Sequence, residues 1–443
     1  MLLMGNGRMI TRDPMNPFWE DGCVAMEGGR IVALGGTEAM KAQYPQAEFV
    51  DARRGVIMPG LINAHEHIYS AFARGMAIRG YNPKGFLDIL DGLWWTLDRH
   101  LLLADTRLSA DATMIDCIEN GVTTLFDHHA SYGQIEGSLF AIGESAKQYG
   151  VRANLCYEVS DRDGPEKMRA GVQENVDWLR FAHGDTTGMV AGLFGMHAQF
   201  TLSDATLRYC REQATEGAGF HIHVAEGIED VYACLKEHGK RPVDRLFDFG
   251  ILGPNTLCGH CTHVSDAEMD LLLETGSNVA HNPESNMGNA IGCPPTLAML
   301  HKGICVGLGT DGYTNDMLES LKVAKLLHQH HLHDATVAWS EAPQMLFDNN
   351  AKLASRAFNR ELGVLKPGAA ADVIALDYTP LTPLTAENLG GHVLFGMSGK
   401  CVTHTVIDGK LKMRDRALLG VDKQAVLAHC RETADALWKR INA

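Results

Sequence analysis

Eight short apolar segments recur along the middle of this chain, and their succession constrains the fold more than any other feature. They are VIMPGLINAH (56–65), VTTLFDHH (122–129), VRANLCYEV (151–159), MVAGLFGMH (189–197), GFHIHVAE (219–226), NTLCGHC (255–261), SNVAHNPES (277–285) and ICVGLGTD (304–311). Each is followed by a stretch with helical character. Near-continuous apolar strands alternating with helices form parallel sheets covered on both faces. Eight such units predict an α/β fold, a (β/α)8 TIM barrel. Seven of the eight end in a polar or ionisable residue: His65 and His67, His128 and His129, His197, His223 and Glu226, His260, His281, and Asp311. The C-terminal ends of barrel strands face the active-site mouth, so residues distant in sequence should meet there.

The two chain ends resemble each other and differ from the middle. Val24, Met26, Ile31 and Ala33 alternate with their neighbours around Gly28-Gly29, which is a hairpin signal. LKPGAAADVIALD and HTVIDGKLKM, near the other end, carry the same strand-and-turn pattern. They predict one small β-sandwich assembled from both termini. The expected division is 1–57 for its N-terminal part, 58–358 for the barrel, and 359–443 for its C-terminal part with a C-terminal helix.

A chain of 443 residues exceeds one ordinary core and predicts a large domain, or a large one with a small one. The net charge of −15 repels phosphate backbones, which argues against nucleic acid and anionic membranes as partners. The opening MLLMGNGRMITRD lacks the basic start and apolar core of a secretory signal. No apolar run approaches the ~18 residues of a membrane span. The 11 cysteines, odd in number and scattered, suit reduced thiols in a cytoplasm.

Cys258-Gly-His-Cys261 looks like a thiol–disulfide motif. A redox cysteine usually sits at a helix N-terminus, where the dipole stabilises thiolate. The next helix has its own start signal, the capping box Ser265-Asp-Ala-Glu268, seven residues beyond Cys258. Both cysteines therefore read as small apolar fillers. His260 is the member of interest, because it tops a strand.

His65-Glu66-His67 follows VIMPGLIN. Residues two apart on a strand point to one face, so both imidazoles can reach one ion. His223-Val-Ala-Glu226 adds a third imidazole and a carboxylate just beyond the strand, and Asp311 ends the last strand. Three histidines and an aspartate suit Zn2+ or Fe2+ and leave positions for water. The expected cofactor is one divalent metal ion per chain, zinc first, with iron or manganese as alternatives. Zinc lowers the pKa of bound water from ~15.7 towards ~7.

PGLINAHEH, HVAE, HCTH, HNPESN and GTDG, in this order, resemble the amidohydrolase superfamily. The branch is that of cytosine deaminase, guanine deaminase and the triazine hydrolases. GVLKPGAAADVIALD resembles the return of that family's β-sandwich, so the resemblance spans nearly the whole chain. LWWTLDRHL, DHHAS, NPESNMGN and ENLGGHVLFGM resemble a narrower group of aminohydrolases within the branch. The resemblance implies that His65, His67, His223 and Asp311 are the metal ligands. It implies that Glu226 shuttles a proton between water and substrate, with Asp311 assisting. His260 would polarise the substrate or orient the water, and His197 would bind substrate, although relatives usually carry proline where this chain has Met196. Two-metal members use a carboxylated lysine at the end of strand four. MVAGLFGMHAQF has no lysine, which implies a single metal and the deaminase-type branch. The implied activity is hydrolytic deamination of a purine-, pyrimidine- or triazine-like heterocycle. The alternatives are opening of a cyclic amide or amidine, and a catalytically silent metal-binding scaffold. The implied partners are the small heterocycle, water and a second copy of the chain in a homodimer.

Weaker signals surround this set. Of the adjacent Trp94 and Trp95, one reads as a lid over a planar ring and the other as packing, because neighbouring helical residues face different ways. Trp94 is the residue expected at the substrate, together with His128 from the pair at the end of strand two. Asn282, Ser285 and Asn286 read as fixing the strand-seven loop by local hydrogen bonds. His328, His330, His331 and His333 read as a partly exposed helix after strand eight.

Overall fold

The structure, a computed structural model, describes residues 1–215 and 217–443. Each expected segment supplies a strand. The first three are Leu61–Glu66, Val122–His129 and Arg152–Tyr157, and the fourth is broken at Leu193 into Val190–Gly192 and Phe194–Ala198. Phe220–Val224, Leu257–His260, Asn278–His281 and Val306–Leu308 complete the eight. Neighbours pair in parallel in this order. The break in the fourth strand is bridged where Val159 pairs with Met196, and the first and last strands meet where Glu66 pairs with Asp311. There the carbonyl of His65 accepts from the amides of Thr310 and Asp311, at 2.9 and 3.0 Å. The barrel is closed.

The helices between the strands follow local rules. Asp266–Thr275 starts at Ser265, whose Oγ accepts from the Glu268 amide while the Glu268 carboxylate accepts from the Ser265 amide at 2.8 Å. Such a cap contributes about 1 kcal/mol. It lies beyond the strand that holds Cys258, as the spacing of the motif requires. Among the described residues, no helix is long and apolar enough to cross a membrane.

Both chain ends enter one nine-stranded sheet. Leu2–Ile10 pairs antiparallel with Phe18–Glu27 and parallel with Glu48–Asp51 and Val56–Pro59. Val56–Pro59 pairs antiparallel with Val373–Leu376, which brings in the C-terminal strands. Gly28 and Gly29 have φ of 58° and 77°, the left-handed pair that a two-residue hairpin turn needs. Met4, Met26 and Ile57 pack with Val373 and Val406 in a core shared by the two ends. The fully buried Arg152, at the base of the barrel, reaches Asp372 and Asp408 of this sheet at 3.1 and 3.2 Å.

The C-terminal helix, Lys423–Ile441, packs against the barrel helix Leu103–Asn120 rather than on the sheet. Trp438 Nε1 donates to the carbonyl of Phe72 at 2.8 Å, and Arg440 pairs with Asp105. The helix thereby walls the mouth of the barrel on the side of the long segment after the first strand.

Candidate metal centre and active site

The strand ends converge. His67 Nε2 lies 3.3 Å from His223 Nε2 and 3.0 Å from Asp311 Oδ1. His65, fully buried, sits edge-on to both rings, with centroids 5.0 Å from His67 and 5.2 Å from His223. Ligand atoms of His65, His67 and Asp311 lie within 4.8 Å of one another, as do those of His65, His223 and His260.

The other ring nitrogens explain why these atoms are free. His67 Nδ1 donates to the carbonyl of His128 at 2.5 Å, and His223 Nδ1 to that of His197 at 2.9 Å. His65 Nδ1 pairs with His221 Nε2 at 2.8 Å, while His65 Nε2 is buried without a partner. The carbonyls thus hold His67 and His223 with Nδ1 as the donor and Nε2 turned to the common centre, as in metal-ligating histidines, and His65 Nε2 is left without a partner among the described residues. The donor set fits a divalent cation.

Electrostatics point the same way. Burial, then the neighbouring imidazoles, hold His65 and His223 well below the usual histidine range, so both stay neutral. Burial works against charge at His67 too, but the Asp311 and Glu158 carboxylates outweigh it and push the ring up to about 10. A proton there stands where a cation belongs. Burial pushes Glu226 well above the usual carboxyl range, with the Asp311 charge adding to it.

Glu226, His260 and Asp311 form the other half of the site. His260 Nε2 lies 3.7 Å from Glu226 Oε1 and 3.5 Å from Asp311 Oδ2. His260 Nδ1 donates to Asn286 Oδ1 at 2.8 Å, which leaves Nε2 as the acceptor that faces the carboxylates. Ser285 Oγ donates to Asp311 Oδ2 at 2.5 Å. Ser285 and Asn286 therefore brace residues of other strands, not only their own loop.

The backbone is strained here. Ala225, His260, Cys261 and Asp311 have φ of 47°, 65°, 52° and 56°. Such conformations cost about 1–3 kcal/mol each and persist only where surroundings over-determine them. The Ala225 amide is held by Asp230 Oδ2 at 2.7 Å, and the Cys261 amide by the carbonyl of Val224 at 3.0 Å. Glu226 and His260 are aimed by these turns.

A cavity of about 870 Å³ opens on this centre, within the range of small-molecule sites. His67, His197, His223, Glu226 and Asp311 line it, with Trp94 and Trp95 on its wall. Trp94 stands edge-on to Tyr69, and Trp95 edge-on to His197. Both tryptophans face the cavity, rather than one alone. His128, expected at the substrate, does not: it is fully buried behind His67, its ring stacked on His221 at 4.4 Å. Two bulky imidazoles already occupy the space between it and the mouth.

Cys258 and Cys261 are fully buried free thiols. His281 turns away from the centre and lies 5.1 Å from the ring of His328. His330, His331 and His333 are exposed, while His328 is buried beside Cys293 Sγ at 3.4 Å.

One residue of the site escaped the sequence reading. Glu158 follows the third strand, in a segment whose last residue is the apolar Val159. Its carboxylate lines the cavity at 3% exposure, with Oε1 3.2 Å from His128 Nδ1 and 3.4 Å from His67 Nδ1. Burial opposes its charge, but His128, His197 and His67 outweigh that and lower it to about 2. It stands one position before the end of the segment VRANLCYEV.

A closed barrel with imidazoles and carboxylates gathered at its strand C-termini defines a metal-dependent hydrolase. Residues 56–412 match the Amidohydrolase family, and the chain belongs to that family, in its deaminase branch. It is a hydrolase of carbon–nitrogen bonds in cyclic amidines. Residues 22–47 match the imidazolonepropionase-like composite domain of bacteria. The chain is 32% identical to a 5'-deoxyadenosine deaminase of Methanosarcina barkeri, over all of this chain and 99% of that one. It is 32% identical to a 5-methylthioadenosine/S-adenosylhomocysteine deaminase of Haloarcula marismortui, over 99% of each. Its fold matches a crystal structure of an adenosine deaminase from Xanthomonas campestris with bound zinc, at a TM-score of 0.86, 23% identity and 98% coverage of both.

Proposed function

We propose that the protein is a mononuclear aminohydrolase that releases ammonia from an amino-substituted heterocycle, with purine rings the first class to test. His65, His67, His223 and Asp311 would hold one divalent ion, zinc first, whose Lewis acidity when bound brings the pKa of a water towards ~7. The amino-bearing ring carbon enters through the cavity past Trp94 and Trp95. His260 Nε2, kept as an acceptor by Asn286, orients the attacking water. Glu226 takes a proton from that water on a carboxylate oxygen and delivers it to the departing amino nitrogen. Its raised pKa suits a group that must hold a proton part of the time. His197, with Nδ1 tied to Thr201 Oγ1 at 2.9 Å, presents Nε2 to the substrate.

The observation that carries this reading is the juxtaposition of Glu226 and His260 with the facing lone pairs of His67 and His223. The deaminase names of relatives that match the whole chain support it. The zinc bound by the Xanthomonas protein supports the choice of metal. Eleven free thiols suit a reducing, cytoplasmic compartment. The test is an ammonia-coupled screen of aminopurines, their nucleosides, aminopyrimidines and aminotriazines with metal-loaded protein. Ammonia release with about one ion per chain is expected. Ring opening without ammonia, or protein that takes up no metal, overturns the proposal.

A further inference from the structure

His67 and His223 are each aimed by a backbone carbonyl, but His65 is aimed by a side chain. Its Nδ1 meets Nε2 of His221, on the fifth strand, at 2.8 Å. Behind His221, its Nδ1 lies 3.6 Å from Sγ of Cys156 on the third strand. Cys156 Sγ in turn donates to the carbonyl of Asp127 on the second strand at 3.4 Å. All three side chains are buried. The ring of His128 stacks on His221 at 4.4 Å, and His128 Nε2 donates to the His221 carbonyl at 3.1 Å, so the second imidazole is clamped in place.

The protons of this chain can run in two directions. In one, Cys156 donates to His221 and His221 donates to His65. His65 then carries its proton on Nε2, which is buried without a partner among the described residues. A buried donor left unsatisfied costs about 1–3 kcal/mol. In the other, His65 Nδ1–H donates to His221 Nε2, His221 Nδ1–H donates to Cys156 Sγ, and Cys156 S–H donates to the Asp127 carbonyl. Every proton then has an acceptor, and His65 Nε2 keeps its lone pair for the centre.

We propose that His221 is a positioning residue: it accepts the Nδ1 proton of His65 and so turns His65 Nε2 into a metal ligand, with Cys156 fixing the tautomer of His221. The inference rests on the aminohydrolase reading, in which His65 holds the ion, and names what prepares it to do so. Partners behind ligating histidines are worth about 10–100-fold in metal affinity. The carbonyls behind His67 and His223 belong to the backbone, whereas this partner can be removed by substitution.

The test measures the zinc Kd of the full chain by chelator competition, with circular dichroism and Tm of the metal-free proteins as the check on folding. His221→Met keeps an apolar side chain of similar reach and removes the acceptor, while His221→Gln places an amide oxygen where Nε2 stood. His221→Met should bind zinc about 10–100-fold more weakly than wild type. His221→Gln should stay within a few-fold of wild type. Its cobalt-substituted form should keep the visible spectrum that His221→Met alters. Equal weakening in both variants would assign the effect to the bulk of the ring and overturn the inference, as would undiminished affinity in His221→Met. One link further back, Cys156→Ala should weaken zinc binding several-fold and Cys156→Ser should not. That pair decides the matter if His221→Met fails to fold, and equal affinities within it then overturn the inference. Zinc held equally well by wild type and His221→Met sinks the inference and leaves the aminohydrolase reading standing. The expected pattern of affinities with no ammonia from any heterocycle does the reverse, and a wild type that binds no zinc sinks both.

Discussion

The Nε2 atoms of His67 and His223 face each other at 3.3 Å, and each ring donates its Nδ1 proton to a backbone carbonyl on the far side. Asp311 Oδ1 approaches the same His67 nitrogen at 3.0 Å. Two lone pairs and a carboxylate at such distances repel unless positive charge lies between them. The backbone carbonyls of strands two and four therefore aim both imidazoles, from behind, at one centre.

Metal removal follows directly. A ligand that binds only the folded state stabilises it by about 2.7 kcal/mol at a hundred times its Kd. Dialysis against a strong chelator should lower Tm by several degrees and abolish activity, and one equivalent of zinc should restore both. His223→Ala should fail to recover metal. A Tm indifferent to chelation would remove the ion from the site.

Glu226 separates metal binding from proton transfer. It belongs to no ligand group with His65 or His67, so Glu226→Gln should retain one ion per chain and fold normally. Turnover should fall by about 10²–10⁴, the usual worth of a positioned general acid–base. Metal analysis alongside steady-state rates reads both quantities, and an unimpaired rate would exclude Glu226 from the reaction.

The fold and half the site were legible because both have a periodic signature. A buried parallel strand is a continuous apolar run, and a barrel gathers the ends of such runs at one mouth, so the sequence already places His65, His223, His260 and Asp311 together there. The other half is set by contacts between segments. That His128 lies behind His67 depends on the ring of His221 beside it, which no spacing within VTTLFDHH encodes. Ser285 and Asn286 carry the signature of local loop bonds, and only the closed barrel brings Asp311 and His260 within their reach. The C-terminal helix has apolar positions that fit any neighbour, and its place is specified by Trp438 and Arg440 meeting Phe72 and Asp105.

The helix Pro283–Gly288, which carries Ser285 and Asn286, should make stability depend on pH. Glu284 is pushed up to about 7, first by burial and then by the Glu319 and Asp316 charges, against one hydrogen bond from Ser320 Oγ at 3.0 Å. A carboxyl with a raised folded pKa favours folding while it is protonated. Its contribution is full below the unfolded value of 4.5 and fades as pH rises through about 7. Glu284→Gln should therefore raise Tm at pH 8 and leave it nearly unchanged at pH 4.5. Equal effects at both pH values would contradict this account.

The paired cysteines of the CGHC stretch should be chemically silent. Both are inaccessible, and the contact with the Cys258 thiol, then burial, pushes Cys261 far above the range in which a thiolate forms. Native protein should leave them unmodified by a thiol reagent that labels them once denatured. The double variant Cys258→Ala, Cys261→Ala should keep kcat/KM within about two-fold. A large loss with metal retained would reopen a role for the thiols.

Arg152 joins the barrel to the terminal sheet, and its loss should cost far more than that of a surface ion pair. It is fully buried, and its Nη2 lies between Asp372 Oδ1 at 3.1 Å and Asp408 Oδ1 at 3.2 Å. Asp372 also accepts from the Asp408 amide at 2.8 Å, so the guanidinium orders the turn between two C-terminal strands. Removing one partner of a buried pair leaves an uncompensated charge, at about 3–5 kcal/mol. Arg152→Met should lose stability of that order in urea unfolding. Burial already raises the Asp372 pKa with the arginine present, so without it Asp372 should take up a proton more readily. The variant's deficit should then shrink as pH falls, and adding Asp372→Asn should recover part of it at pH 7. If Arg152→Met costs less than about 1 kcal/mol and shows no such rescue, the Arg152 ion pairs contribute little to holding the sheet on the barrel.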